Sequence, residues 1–379
     1  MERGGYAADL LYRRAGKLIP PDAALAQELV LGVLRRRAQL DFLLLPHVAK
    51  PLAKLDIEIL TALRMGVYQL QFLERVPPHA AVSESVSLAR AARKSSAAGM
   101  VNAVLRKTIA TGPLPAWPDR ATALSMPEWI LHGWEQAFGA ERAAGLAEAF
   151  LQKPDVYTRL PKGRSVSDYP ELELAETDVP GCRRVLKGNP RAAGLLQSDI
   201  GSQWVGTLLG ARPGDEVLDL CAAPGNKTAV VAETGRIAAA CDANFQRLLA
   251  MPDKVFPRVQ LDATQPLPFR RTFSRILLDA PCSGTGTLGR NPEIRWRITP
   301  EKLREFPPIQ RAMLRNALEL LAPEGVLVYS TCSLEIEENE NIVDVVCHDY
   351  EVEMARRMPG VSPGDGFFAA VIRKTSGPR

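Results

Sequence analysis

The sequence has no long hydrophobic run, and nothing in it approaches the ~20 consecutive apolar residues that a membrane-spanning helix requires. Its opening segment, MERGGYAADLLYRRAGK, has charges scattered through it and no apolar h-region. No secretory signal is therefore expected, and the expected setting is reducing and cytoplasmic. Histidine is scarce, with four in 379 residues, and only His348 lies beside a cysteine. No CxxC pair occurs either, so no zinc site is expected. The six cysteines (Cys182, Cys221, Cys241, Cys282, Cys332 and Cys347) are widely spaced. In a chain long enough to stabilise itself through its core, that spacing argues for thiols rather than a disulfide framework. Repeats and low-complexity tracts are also absent. With 46% hydrophobic and 24% charged residues, the chain has ample apolar surface to bury and is not disordered throughout.

What is present is unevenly distributed. The formal net charge is only +4, but residues 1–120 hold 17 Lys/Arg against 10 Asp/Glu. The first third is thus a basic module of +7 and the remainder carries −3. A basic module suits a polyanionic partner such as nucleic acid, although an Arg-rich solvated surface would give the same count. Residues 1–110 show helical spacing in ALAQELVLGVLRRRAQLDFLL, LDIEILTALRMGVYQLQFL and VNAVLRKTI, with proline pairs in the breaks. A bundle of several helices follows from this pattern. Prolines in GPLPAWPD (112–119) mark a boundary. Beyond it, MPEWILHGWEQAF and ERAAGLAEAFLQ read as short helices, and YTRLPKG and CRRVLKG as strands of a small α+β connector. The length prior of two or three domains becomes residues 1–112, 113–195 and 196–379.

From about residue 213, short apolar strands alternate with helices: EVLDLCA, RIAAACDA, VQLDAT, SRILLDAP and GVLVYSTCS, with long helical stretches at 300–322 and 336–347. That rhythm predicts a parallel, doubly wound sheet whose ligands bind at the carboxyl ends of the strands. Four acids stand at successive strand ends: Asp219, Asp242, Asp262 and Asp279. One such acid could simply cap a helix; four suggest a nucleoside-containing cofactor. Gly225, in DLCAAPGNKT, permits close backbone approach to a ligand, and Asp242 lies 17 residues beyond it, where an acid can meet ribose hydroxyls. Asn226 stands where a P-loop requires glycine before lysine, which excludes that motif. A GxGxxG at Gly284, Gly286 and Gly289 opens no helix, because Pro292 and Pro300 follow. It is therefore read as a flexible substrate-side loop rather than an NAD site. Two strand ends carry cysteines, Cys282 in DAPCSG and Cys332 in STCS, where thiolate chemistry is credible. Cys182, Cys241 and Cys347 are read as small buried hydrophobes.

DLCAAPGNKT, DAPCSGTG and YSTCS resemble the RNA cytosine-5 methyltransferase family of Sun/Fmu and Nop-type enzymes, with NPEIRW, EEN and DGFF as further matching pieces. The first third resembles NusB-like RNA-binding domains through ELVLGVLR, RMGVYQL, PPHAAVSESV and GMVNAVLR. The combination is similar to the members that act on small-subunit rRNA. The resemblance implies a multidomain α and α/β chain: an all-α NusB-like bundle, a small α+β connector and a Rossmann-like class I methyltransferase domain. It implies S-adenosylmethionine held by Cys221, Ala222, Ala223, Pro224, Gly225, Asn226, Lys227, Asp242, Asp262 and Asp279. It also implies Cys332 as nucleophile, Cys282 assisting release, and Asp279 between cofactor and base. The expected partner is RNA, either rRNA or a ribosomal subunit precursor, bound by a monomer with no membrane association. A non-catalytic RNA-binding assembly factor and a tRNA methyltransferase are the competing readings. Two departures from the family pattern stand out: Asn226, expected to tolerate left-handed geometry, and Ser198 before Asp199. Pro252 and Pro257 predict a shortened helix between Asp242 and Asp262.

Overall fold

The computed structural model describes residues 6–16, 18–110, 112, 114–252 and 256–374. Met1 to Gly5 and Lys17 of the opening segment, and Pro113 of the proline-rich break, lie outside them. Two compact units form: residues 1–153 together with 288–297, and residues 154–287 together with 298–379.

The first unit is helical. Its main helices are Ala7–Ala15, Pro20–Arg35, Arg37–Leu44, Ile57–Phe72, Pro78–Ala91 and Ala98–Ala110. The proline pairs start two of them: Pro20 and Pro78 occupy first helical positions, where a missing N–H costs nothing. The apolar stripes meet in one core that includes Leu40, Leu44, Leu63, Val67, Val101 and Leu105. Glu128–Phe138 and Ala140–Ala149 are the two short helices expected after the boundary, and they also belong to this unit.

The second unit holds two sheets. A small antiparallel sheet contains β1 (Val156–Arg159), β2 (Glu173–Glu176), β3 (Cys182–Lys187) and β4 (Leu196–Gln197), in the order β2-β3-β1-β4. The large sheet contains β5 (Glu216–Asp219), β6 (Arg236–Asp242), β7 (Arg258–Gln260), β8 (Phe273–Asp279), β9 (Leu321–Thr331), β10 (Glu351–Arg357) and β11 (Phe367–Arg373). Its order is β10-β11-β9-β8-β5-β6-β7. The five strands β7-β6-β5-β8-β9 are parallel, as the alternating rhythm predicts. The sheet as a whole is mixed, because β11 runs antiparallel to both β9 and β10. Alternate residues of β8 enter separate cores: Ile276 and Leu278 pack with Met313, Leu314 and Ile342, whereas Leu277 packs with Val205, Val231 and Leu248. Both faces are therefore covered by helices, and every strand end must open at an edge of the sheet.

Local sequence explains the remaining differences from expectation. The stretch at 300–322 is two helices, Pro300–Leu303 and Phe306–Glu319, because Pro307 and Pro308 can only begin the second. The helix after Asp242 spans just Phe245–Leu249, as Pro252 predicts. The GTGTLG segment is not a flexible loop. Gly284 to Gly289 are buried, with a 3₁₀ turn at Thr285–Thr287. Residues 288–297 pack into the helical unit. There Arg295 is fully buried and donates to the carbonyls of Leu288 (3.0 Å), Ser125 (3.2 Å), Phe150 (3.2 Å) and Arg35 (3.5 Å). Trp296 Nε1 donates to Leu34 O, and Arg35 Nε to Gly289 O. Part of the Arg35–Arg37 run thus serves internal structure rather than a surface: burial pushes the Arg35 and Arg295 pKa values down, Arg295 to about 9. Among the described residues, no helix is long and apolar enough to cross a membrane, and no group of three or more His, Cys, Asp or Glu could hold a metal.

Candidate active site

Sheet order converts four scattered acids into one ledge. Asp279, Asp219, Asp242 and Asp262 stand at or just beyond the carboxyl ends of β8, β5, β6 and β7, which are neighbours in that order. Asp219 accepts a hydrogen bond from Thr228 Oγ1 at 2.7 Å, while its Oδ1 is buried without a partner. Burial pushes its pKa up to about 7; the Asp279 charge adds to the rise, and Thr228, Lys227 and the Cys221 backbone oppose it. Asp242 is 6% exposed and accepts from Asn244 N at 2.8 Å, with Arg247 Nη1 3.7 Å from its other oxygen. Asp262 is exposed and accepts from both Thr264 N and Thr264 Oγ1, a turn of its own making.

Between β5 and the helix Asn226–Val231 runs the Cys221–Gly225 loop. Ala222 N donates to Cys241 O and Gly225 N to Ala222 O, each at 2.7 Å, and Arg247 caps Ala223 O. Gly225 carries the positive φ of +103°, and a Cβ there would also come within 3.1 Å of Met251. Asn226 is the first residue of the helix and needs no left-handed tolerance. Asp199 caps the helix Ile200–Leu208 through Gly201 N (2.8 Å) and accepts from Asp365 N. Burial first, then the charges of Asp219, Asp279 and Asp242, holds Cys221 well above the usual thiol range, so it lines the loop as a neutral group. An unpartnered buried carboxylate oxygen, a glycine cradle and a row of acids suit a cationic, hydroxyl-rich nucleoside group. S-adenosylmethionine fits that description.

The thiols meet through strand register. β8 and β9 pair Asp279 with Ser330; Cys282 follows three residues after the first and Cys332 two after the second. Their sulfurs lie 3.5 Å apart, and both residues are half-buried. Cys282 is held well above the ordinary thiol range by its hydrogen bond to Cys332, then by burial, then by the charges of Cys332, Glu338 and Asp279. Asp279 binds Lys227 Nζ at 2.7 Å through one oxygen and Ser330 Oγ at 2.9 Å through the other. Burial pulls Lys227 down, but the Asp279 charge and hydrogen bond more than offset it, with Cys332 and Asp219 adding to the rise. Lys227 also lies 5.0 Å from the Phe367 ring, so the terminal DGFF piece joins the site. Cys182, Cys241 and Cys347 are buried core residues with pKa values raised by burial, away from this chemistry.

One feature of the site is not among the residues singled out by sequence. Glu338, fully buried, accepts from Ser283 N (2.8 Å), Ser283 Oγ, Ser333 Oγ (2.7 Å) and Gln310 Nε2 (3.0 Å). Its only sequence signal is membership of the EEN piece.

Comparison with known proteins gives the family and the fold. Residues 206–361 match the model of the 16S rRNA methyltransferase RsmB/F family, and residues 2–110 match the NusB family. The ribosomal RNA small subunit methyltransferase B of Thermus thermophilus is 36% identical over 90% of this chain and 83% of its own length. A probable enzyme of the same name from Synechocystis is 32% identical over 94% and 92%. Among solved structures, PH0851 superposes with a TM-score of 0.80 at 21% identity, covering 96% of this chain and 93% of that one. NSun6 from Pyrococcus horikoshii with SFG gives 0.58 at 19% identity, covering 66% and 99%. These two show the fold. The chain belongs to the RsmB/F family of S-adenosylmethionine-dependent 16S rRNA methyltransferases and carries a NusB-family domain at residues 2–110.

Proposed function

We propose that the protein methylates C5 of a cytosine in RNA, in 16S rRNA of the small subunit, through a covalent bond between Cys332 and C6 of the base. The observation that supports this reading most is the 3.5 Å thiol pair standing beside Asp279 and Lys227. C5 of cytosine is a poor nucleophile. Addition of the Cys332 thiolate to C6 forms the C–S bond and moves the ring π electrons toward C5, making an enamine-like carbon. Electron density also moves toward N3, where Asp279, protonated or bridging through the Lys227 ammonium at 2.7 Å, is assigned to hold the base and stabilise the charge. S-adenosylmethionine, when bound, supplies an electrophilic methyl group on a sulfonium sulfur. Release then requires the C5–H bond to break, its electron pair to re-form the C5=C6 bond, and the Cys332–C6 bond to break. Cys282 is assigned to take the C5 proton. In the free protein its hydrogen bond to Cys332 helps keep it a thiol; once Cys332 is bonded to carbon that restraint is gone, Cys282 gives up its own proton to solvent, and the resulting thiolate takes the C5 proton.

Under this reading residues 1–112 hold RNA, 113–195 connect, and 196–379 catalyse, with the target base exposed in a loop or flipped from its stack. The rRNA substrate is carried over from the relatives and the family. Incubation with methyl-labelled S-adenosylmethionine and either 16S rRNA or small-subunit particles tests it, with nucleoside analysis by mass spectrometry. Label in 5-methylcytidine is the expected outcome; label in another nucleoside, or none, overturns it. Bisulfite sequencing of rRNA from a strain lacking the protein then locates the base.

A further inference from the structure

The two thiols reside on separate loops, yet one buried carboxylate touches both. Glu338 Oε1 accepts from Ser283 Oγ and Ser333 Oγ, the hydroxyls of the residues that directly follow Cys282 and Cys332. Oε2 accepts from Ser283 N and Gln310 Nε2, and Gln310 Nε2 also donates to Pro281 O on the other side of Cys282. Asn339 does the corresponding work for Cys332: it accepts from Thr331 Oγ1 and donates to Ser333 O. The two serine hydroxyls are themselves 3.1 Å apart. Two N–H donors meet Oε2 and two hydroxyls meet Oε1; burial pushes the Glu338 pKa up, and the hydrogen bonds from Ser283, Ser333 and Gln310 oppose that rise.

We propose that Glu338 is a positioning residue for methyl transfer, fixing the separation of the Cys282 and Cys332 loops so that the second thiol is in place to release the product. The proposal rests on the assignment of the two thiols made above. Adduct formation needs only Cys332 and the base, whereas release needs both sulfurs registered on adjacent ring atoms. Loosening the clamp therefore impairs release more than attack. The carboxylate also places negative charge beside Cys282, which faces Cys332, Asp279 and Tyr329 as well and is kept a thiol in their company.

The test is Glu338→Gln, which keeps shape but removes the charge and one acceptor, together with the double variant Ser283→Ala/Ser333→Ala, which leaves the glutamate in place. Each is mixed with 16S rRNA and S-adenosylmethionine, and the fraction of protein in a denaturation-resistant RNA complex is compared with turnover. The expected result is a tenfold or greater fall in kcat with little change in KM for either substrate, and a several-fold rise in the trapped fraction. In the free protein, mass spectrometry after iodoacetamide should show Cys282 alkylated several-fold faster relative to Cys332 in Glu338→Gln. A merely structural role would move both cysteines together. A trapped fraction equal to that of the wild type in both variants, with an unchanged alkylation ratio, overturns the proposal. Methyl transfer that survives Cys332→Ala overturns instead the assignment on which it rests. If Glu338→Gln does not fold, the double variant alone decides by the same trapped fraction.

Discussion

Asp219→Asn tests the electrostatics of the ledge with a sign that can be worked out in advance. Asp219 ends β5 with one oxygen on Thr228 and the other buried without a partner, and burial above all pushes its pKa up to about 7. The unfolded value is about 3.9. A carboxyl group whose folded pKa is raised binds its proton more tightly in the native state. The native state is therefore penalised progressively as pH rises from about 4 to about 7, and the full penalty stands above that window. A gap of about three pH units at 1.36 kcal/mol per unit makes the full penalty roughly 4 kcal/mol, of which about 2.5 kcal/mol accrues between pH 5 and pH 8. Asparagine keeps an acceptor for Thr228 and does not titrate, but its buried amide donors cost about 1–3 kcal/mol at every pH. The offset is thus constant, and the variant gains on the wild type by about 2.5 kcal/mol from pH 5 to pH 8. Because the chain has two compact units, a whole-chain melting midpoint is not a two-state quantity. Hydrogen exchange of peptides from β5 and β8, read across that pH range, reports the opening free energy of the unit concerned. A stability difference that does not move with pH refutes the reasoning.

Two further outcomes follow from the same geometry. In Gly286→Ala the new Cβ would lie 2.2 Å from Gly366 O and 2.9 Å from Cys332 O, both backbone atoms, so the bonds Gly286 N–Cys332 O and Gly366 N–Gly286 O must stretch. A cost of about 2–4 kcal/mol is expected from overpacking and a weakened hydrogen bond, seen as faster hydrogen exchange in peptides from β9 and β11; unchanged exchange there would contradict the close approach. Cys332→Ala should abolish methyl transfer while leaving S-adenosylmethionine binding intact by calorimetry, and retained transfer would remove this cysteine from the chemistry.

Much of the site could be read in the sequence because doubly wound sheets place function at strand ends. Asp219, Asp242 and Asp279 ended recognisable apolar strands, Asp262 fell two residues beyond one, Cys282 followed the strand that Asp279 ends, and Cys332 followed a fifth strand, β9. What pattern could not supply was the lateral order of strands, which makes the acids neighbours, and the register that brings the sulfurs together. The antiparallel hairpin β10–β11 was not expected, since EVEMARR is an edge strand exposed over most of its length and lacks an apolar run. Asn226 was credited with a backbone burden that Gly225 carries, because loop glycines do not announce which of their neighbours takes the positive φ. GTGTLG looked mobile by composition, yet its glycines permit burial and close backbone packing against Cys332 and Gly366. Glu338 was passed over because a buried glutamate has no local signature; its partners come from two loops and one helix.

The central claim is that Cys332 forms a covalent bond with the target base and that Cys282 is needed to undo it. Cys282→Ala, incubated with 16S rRNA and S-adenosylmethionine, denatured, digested with nuclease and protease, and mapped by mass spectrometry, tests both halves at once. The expected product is a stable complex whose cross-linked peptide carries a 5-methylcytidine remnant on Cys332. The same remnant on any other residue, or a complex trapped by Cys332→Ala in place of Cys282→Ala, would contradict it.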